Sequence, residues 1–247
     1  MAVEQEQYYR NDELKIYRGE DFVVSKHIIL HQPTLNEICD YGERDYYSMI
    51  YNFTATPQSL KVQLWDIGID WMTMDDFELF ILLAPTLQIE STKLLFGDLD
   101  FTKLKPYRNK ENGDIVLADL ESGVKIDKLI YLRIVNYLRK VHNITPKIER
   151  AANKTTKQIL IDEDRMKIRL NQEKPLKSYL LPLISSVKVR MGYTKDYVRN
   201  EGFVEFFDDL ARLQLINNAD HLLAGCYSGM IDTKKINKAD LNWLKEI

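Results

Sequence analysis

The spacing of apolar residues changes period twice along this chain, and that switch restricts the available folds more than any single motif. Thr34-Leu35-Asn36-Glu37 is a capping box directly after Pro33, and Leu35, Ile38, Gly42, Tyr46, Met49 and Phe53 then recur at helical spacing. One long helix over 34–53 is predicted. Pro57 suits a first helical turn, Leu60, Leu64 and Ile67 lead to Gly68 as a stop, and Thr73 opens a further helix ending near Pro85. After Phe96-Gly97 the pattern turns extended, with Leu99, Phe101, Leu104 and Tyr107, then Asn112-Gly113, Ile115 and Leu117, then Ser122-Gly123, Val124 and Ile126. Turn dipeptides between short apolar runs mark a β excursion. Helical period resumes with Leu129, Leu132, Ile134, Val135, Leu138 and Val141 and stops before Pro146.

Ahead of the first helix, Leu14 and Ile16, Phe22 and Val24, and Ile28 and Leu30 alternate with polar residues around Arg18-Gly19-Glu20-Asp21, the pattern of a small antiparallel sheet. The last third predicts helices over 161–171 and 175–191, a stop at Gly192 and a short helix capped by Thr194. Separate helices over 203–216 and 219–227 and a final one near 239–247 complete it. The expected fold is α+β and predominantly helical, with a small N-terminal antiparallel sheet and a β-hairpin insertion. Its segments are 1–98, strands plus a helical block; 99–126, the β insertion; 127–158, a helix and basic linker; and 159–247, a C-terminal helical bundle.

The net charge of -3 conceals a split. Residues 1–98 hold 7 Lys/Arg against 17 Asp/Glu, residues 99–190 hold 20 against 11, and residues 191–247 hold 7 against 9. Such a field favours contact between the acidic front and basic middle, within a chain or between copies. A content of 45% hydrophobic and 11% aromatic residues is globular rather than disordered. The run Phe77 to Ala84 is interrupted by Glu78 and ended by Pro85, short of the roughly 20 residues of a membrane span. Residues 1–11 are polar and acidic, without the basic and apolar regions of an export signal, so cytosolic synthesis is expected. Cys39 and Cys226 belong to no CxxC or Cys/His cluster and are expected to be reduced and buried.

No stretch carries a catalytic or cofactor fingerprint, and the expectation is a protein that is not an enzyme and takes no cofactor. Asp162-Glu163-Asp164 is the densest acidic cluster and the basis of an alternative reading, a metal-dependent enzyme using Asp162 and Asp164. Adjacent helical residues diverge by about 100°, which favours acids stabilising a helix N-terminus instead. Asp98 and Asp100 share a face in extended chain but lack a third ligand. His27 and His31 would share a strand face as an incomplete zinc pair, while His142 and His221 stand singly on predicted helices. Ser185-Ser186 lie in an apolar helix, Ser228-Gly229 lacks the GxSxG frame, and no phosphate-binding glycine motif occurs. The basic stretch Arg139 to Arg169 could meet phosphates, but Asp162 to Asp164 sit inside it and the pI is about 5.9. Nucleic acid is not an expected partner.

The C-terminal third offers more. Leu180, Leu183, Ile184 and Val187, then the stripe Phe203, Phe206, Phe207, Leu210 and Leu213, then Leu222, Leu223 and Cys226 give amphipathic helices in close succession. Their first task is a core, and the excess stripe could receive an amphipathic partner helix in a groove. Phe203 or Phe207 is the expected outward member.

Two segments carry a resemblance. Ile28-Ile29-Leu30-His31-Gln32-Pro33-Thr34-Leu35-Asn36-Glu37-Ile38-Cys39-Asp40-Tyr41-Gly42-Glu43 resembles the strand, Pro-Thr, helix, Gly-Glu opening of tail-assembly proteins from phages and prophages of Gram-positive bacteria. Gly192-Tyr193-Thr194, Phe206 to Arg212 and Leu222-Leu223-Ala224-Gly225-Cys226-Tyr227-Ser228-Gly229 through Asp240-Leu241-Asn242-Trp243 is similar to the helical ending of that group. The β excursion from Leu99 to Ile126 has no counterpart there. The resemblance implies a tail assembly chaperone that coats the tape-measure protein and helps recruit tail-tube subunits. The charge split adds self-association as an expectation, and the resemblance implies residence in the bacterial host cytoplasm, or in the virion if the protein is a structural component of the particle or of a phage-tail-like particle.

Overall fold

The capping box at Thr34 closes in both directions. The Thr34 backbone N–H donates to Glu37 Oε2 at 2.8 Å, and the Glu37 N–H donates to Thr34 Oγ1 at 3.3 Å. In the computed structural model, which describes residues 13–109, 113–172, 175, 177–232, 234 and 236–245, this cap starts α2 (Leu35–Tyr41). The predicted long helix is interrupted at Gly42, and α3 (Glu43–Thr54) follows as a second helix. Gly42 adopts φ 103°, outside the helical region, and a Cβ there would lie 3.2 Å from Asp45 Oδ2. The apolar spacing continued across a backbone break because both helices bury the same kinds of side chain.

The chain divides into two units. The larger comprises residues 22–31 and 38–178. It holds β1 (Phe22–Ser25) paired antiparallel with β2 (Ile28–Leu30), α3, α4 (Lys61–Asp66), α5 (Asp76–Leu83) and α6 (Lys93–Phe96). A three-stranded antiparallel sheet follows, β3 (Lys105–Arg108), β4 (Ile115–Ala118) and β5 (Lys125–Ile126), then α7 (Lys128–Val141) and α8 (Lys154–Gln172). The β insertion is therefore a three-stranded meander. Gly113 and Gly123 hold positive φ at its two turns, while Asn112 lies outside the described residues. Leu14 and Ile16 belong to a helical turn at 13–17 (α1), not to a strand, so the N-terminal sheet has two strands.

The core of this unit is aromatic. Phe53 packs on Phe96 at 4.5 Å and on Phe101 at 5.1 Å between ring centroids, and Phe80 meets Tyr131 at 5.0 Å. Asp75, not Thr73, caps α5, through a reciprocal box with Glu78. Lys61 is 2% exposed and pairs with Glu149 Oε2 at 2.5 Å and Asp164 Oδ2 at 2.8 Å, which ties α4 to the 144–153 segment and to α8. The acidic front and basic middle do meet within this unit, through Lys128–Asp75, Arg139–Asp76, Lys157–Asp70 and Arg165–Asp66.

The smaller unit comprises, among the described residues, 13–21, 32–37 and 179–245. It contains α9 (Leu180–Met191), α10 (Lys195–Asn200) and α11 (Phe203–Tyr227). Gly192 ends α9 in the left-handed region, and the Thr194 hydroxyl accepts from the Tyr197 N–H at the start of α10. The two helices expected over 203–227 are one, because Asn217-Asn218 supplies no breaker and Asn217 Oδ1 accepts a bond from Arg190. The expected last helix is a single 3-10 turn, Lys238–Leu241. Cys226 is half-buried and Cys39 exposed on the outer side of α2, so the expectation that both are buried is corrected. No helix among the described residues is long and apolar enough to cross a membrane.

Candidate functional site

The start of α11 is seated on the Pro33–Leu35 segment. The Phe203 N–H donates to the Pro33 carbonyl at 3.0 Å, the Leu35 N–H donates to the Glu201 carbonyl at 3.0 Å, and Thr34 bridges Gly202. This seating turns the stripe inward. Phe206 is fully buried with Leu35, Val187 and Val198, and Phe207 and Leu210 pack against that cluster half-buried. Phe203 is 3% exposed and packs tilted against Phe207 at 4.6 Å between centroids, so it is not an outward member. Leu213 is half-buried. Of the five stripe residues, Phe207, Leu210 and Leu213 keep accessible surface.

A groove opens further along the same helix. Leu215, Asn218, His221 and Leu222 line a cavity of about 460 Å³ closed on its far side by Ile231, Asp240 and Lys245. Arg212 holds this C-terminal segment by donating to the carbonyls of Trp243 at 2.7 Å and Lys245 at 2.8 Å. Gly225 permits the close approach, since a Cβ there would come within 2.8 Å of Ile231 Cγ1. The lining is apolar at Leu215, Leu222 and Ile231, with the Lys245–Asp240 pair at 3.7 Å and His221 at the rim. Such a groove fits apolar side chains flanked by polar ones.

The groove was missed in the sequence apart from Leu222. The spacing of Leu215, Asn218 and Leu222 is helical and gave a signal, but the opposing wall comes from residues without regular period. The other candidates resolve into structural roles. Asp164 is held by Lys61 and by Lys167 at 2.9 Å, while Asp162, about 200° around the helix, points toward Gln158 and Arg165, so the two carboxylates do not converge. Asp100 caps a 3-10 turn through the Thr102 N–H and hydroxyl. His27 lies in the turn between β1 and β2 while His31 follows β2, so they share no strand. His142 accepts or donates at 2.8 Å to Tyr46 and sits 2.8 Å from the Leu138 carbonyl, and burial lowers its pKa to about 4.

With this geometry in place, comparison with known proteins identifies no relative: no protein-family profile, curated protein or solved structure matches the chain.

Proposed function

We propose that this protein is a non-enzymatic assembly factor, a phage tail assembly chaperone that binds the tape-measure protein by taking one of its amphipathic helices into the groove along α11. The observation that carries this reading is the groove itself, apolar along Leu215, Leu222 and Ile231 and charged at Asp240 and Lys245. An amphipathic helix presents that pattern, with anchors one and two turns apart and polar flanks. The choice of partner, tape-measure or tail-tube protein, rests on the resemblance of the 28–43 and 192–243 segments. Work in the host cytoplasm follows from the same reading. Phe207, Leu210 and Leu213 extend the accessible side of α11 and belong to the proposed contact surface, whereas Phe203 and Phe206 support it from the core.

The test is co-purification of the full chain with a helical tape-measure fragment, scored beside the melting temperature of each variant. Leu222→Ala and Leu215→Ala are expected to fold and to weaken capture by about 2 kcal/mol, the scale of an interface hot spot. If every variant that loses the fragment also unfolds, or if the wild type captures none, the reading fails. Mass spectrometry of purified particles separates a chaperone, absent from the finished particle, from a structural component that remains in it.

A further inference from the structure

Five aspartates of the larger unit have basic partners. Asp66, Asp70, Asp75, Asp76 and Asp164 pair with Arg165, Lys157, Lys128, Arg139 and Lys61. The smaller unit contains a contrasting case. Glu201, directly before the Gly202 N-cap of α11, is 4% exposed, and neither of its carboxylate oxygens receives a donor. The group within reach is the Asp209 carboxylate, which can bond Glu201 only while one of the two holds a proton and which already takes the Tyr193 hydroxyl at 3.1 Å, so once Glu201 ionises the pair has no donor of its own. Glu205 adds its charge to Glu201, and the phenol of Tyr17 lies in the field of Asp209, Glu205 and Asp208. None of Glu201, Glu205, Asp208 or Asp209 joins an ion pair with a described lysine, arginine or histidine. Arg212, one turn beyond Asp208 and Asp209, is committed to the Trp243 and Lys245 carbonyls. The N-terminal end of α11 supplies about half a positive charge, against four carboxylates.

Buried carboxylates are paired, protonated or bound to a cation. We propose that Glu201, Glu205 and Asp209, with Tyr17, Tyr193 and Tyr197 as walls, bind an organic cation: a protonated alkylamine or a guanidinium group, free or borne on a polypeptide side chain. Two features select this chemistry. The walls are aromatic, with Tyr193 and Tyr197 at 4.5 Å between centroids and Tyr17 and Tyr197 40% and 47% exposed, which leaves aromatic surface accessible to a cation. No three carboxylate or imidazole groups among the described residues converge at the spacing a metal ion needs. The cation would place its N–H donors on the two unsatisfied oxygens of Glu201 and neutralise the contact with Asp209. This site lies at the opposite end of α11 from the groove and does not depend on the assembly reading.

The experiment is calorimetric titration of the full chain at pH 8 and low salt with n-butylammonium, butylguanidinium and a short peptide carrying one lysine or one arginine. Saturable binding of at least one probe is expected, reduced tenfold or more by Glu201→Gln and by Asp209→Asn. Tyr197→Ala, at an exposed ring, is expected to weaken binding severalfold with an unchanged melting temperature, and it decides the matter if a carboxylate variant fails to fold. A peptide that binds tenfold tighter than the free amines identifies a polypeptide source, and equal affinities identify a small-molecule one. Absence of binding at millimolar probe, equal binding by Glu201→Gln and Asp209→Asn, or displacement by stoichiometric Mg²⁺ or Ca²⁺ overturns the proposal.

Discussion

Two titrating residues of this protein act in opposite directions on stability. Burial first, then the charges of Asp209 and Glu205, push the Glu201 carboxyl up to about 7. The folded state thus keeps a proton that the unfolded chain has released above its ordinary value near 4.5, so this group's contribution to stability falls as pH rises from about 4.5 to about 7 and is flat beyond. Glu201→Gln should abolish that slope and raise the urea midpoint at pH 8 while leaving it nearly unchanged at pH 4.5. An equal effect at both pH values would contradict this. His142 is the converse: burial lowers it to about 4, so the unfolded chain protonates first and stability is lost as pH falls from about 6.5 towards 4, by at most about 3 kcal/mol. Imidazole NMR shifts that titrate near 6.5 in the folded protein would refute it. Tyr131 is 1% exposed with a hydroxyl that meets no partner, and Tyr131→Phe should leave the melting temperature unchanged or raise it.

At the scale of elements, α8 is held on one side by Ile161 and by the Lys61 contacts, while Ile159, Met166 and Leu170 are exposed on the opposite side. Lys61→Met keeps the apolar stem but leaves Glu149 and Asp164 without their shared cation. The expected cost is roughly 3 kcal/mol, below the upper end for a buried pair because both carboxylates retain solvent contact. Limited proteolysis should then open the 144–160 region first; cutting elsewhere would show that Lys61 does not anchor α8. Where side-chain chemistry sets an element boundary, the sequence was readable: the Thr34 box, the Gly192 stop and the Thr194 cap all lie where local residues require them. Local pattern misled where tertiary context decided. Asp75-Asp76-Phe77-Glu78 spelled a capping box that Thr73 obscured, Gly42 broke a continuous apolar period, and α11 ran through Asn217-Asn218 without a stop. Chemistry at the candidate sites was less legible still, because Glu201 and Asp209 belong to two patterns that only the start of α11 brings together.

For the whole molecule, part of the charge split visible in the sequence is met within the chain. The pairs from Asp66, Asp70, Asp75 and Asp76 to Arg165, Lys157, Lys128 and Arg139 join the acidic front to the basic middle, and most are partly solvated. Each exposed pair contributes about 0–1 kcal/mol, so 0.5 M salt, with a Debye length of roughly 4 Å, should lower the melting temperature by a few degrees. Sedimentation should be unchanged; dissociation of an oligomer at that salt would mean that the charges pair between copies. The groove along α11 is the proposed working surface. Hydrogen–deuterium exchange of the full chain, with and without the tape-measure fragment, tests this most directly. New protection is expected at 207–225 and 238–245, at the groove walls, and none at α8. Protection confined to other helices, or no change at saturating fragment, would contradict it.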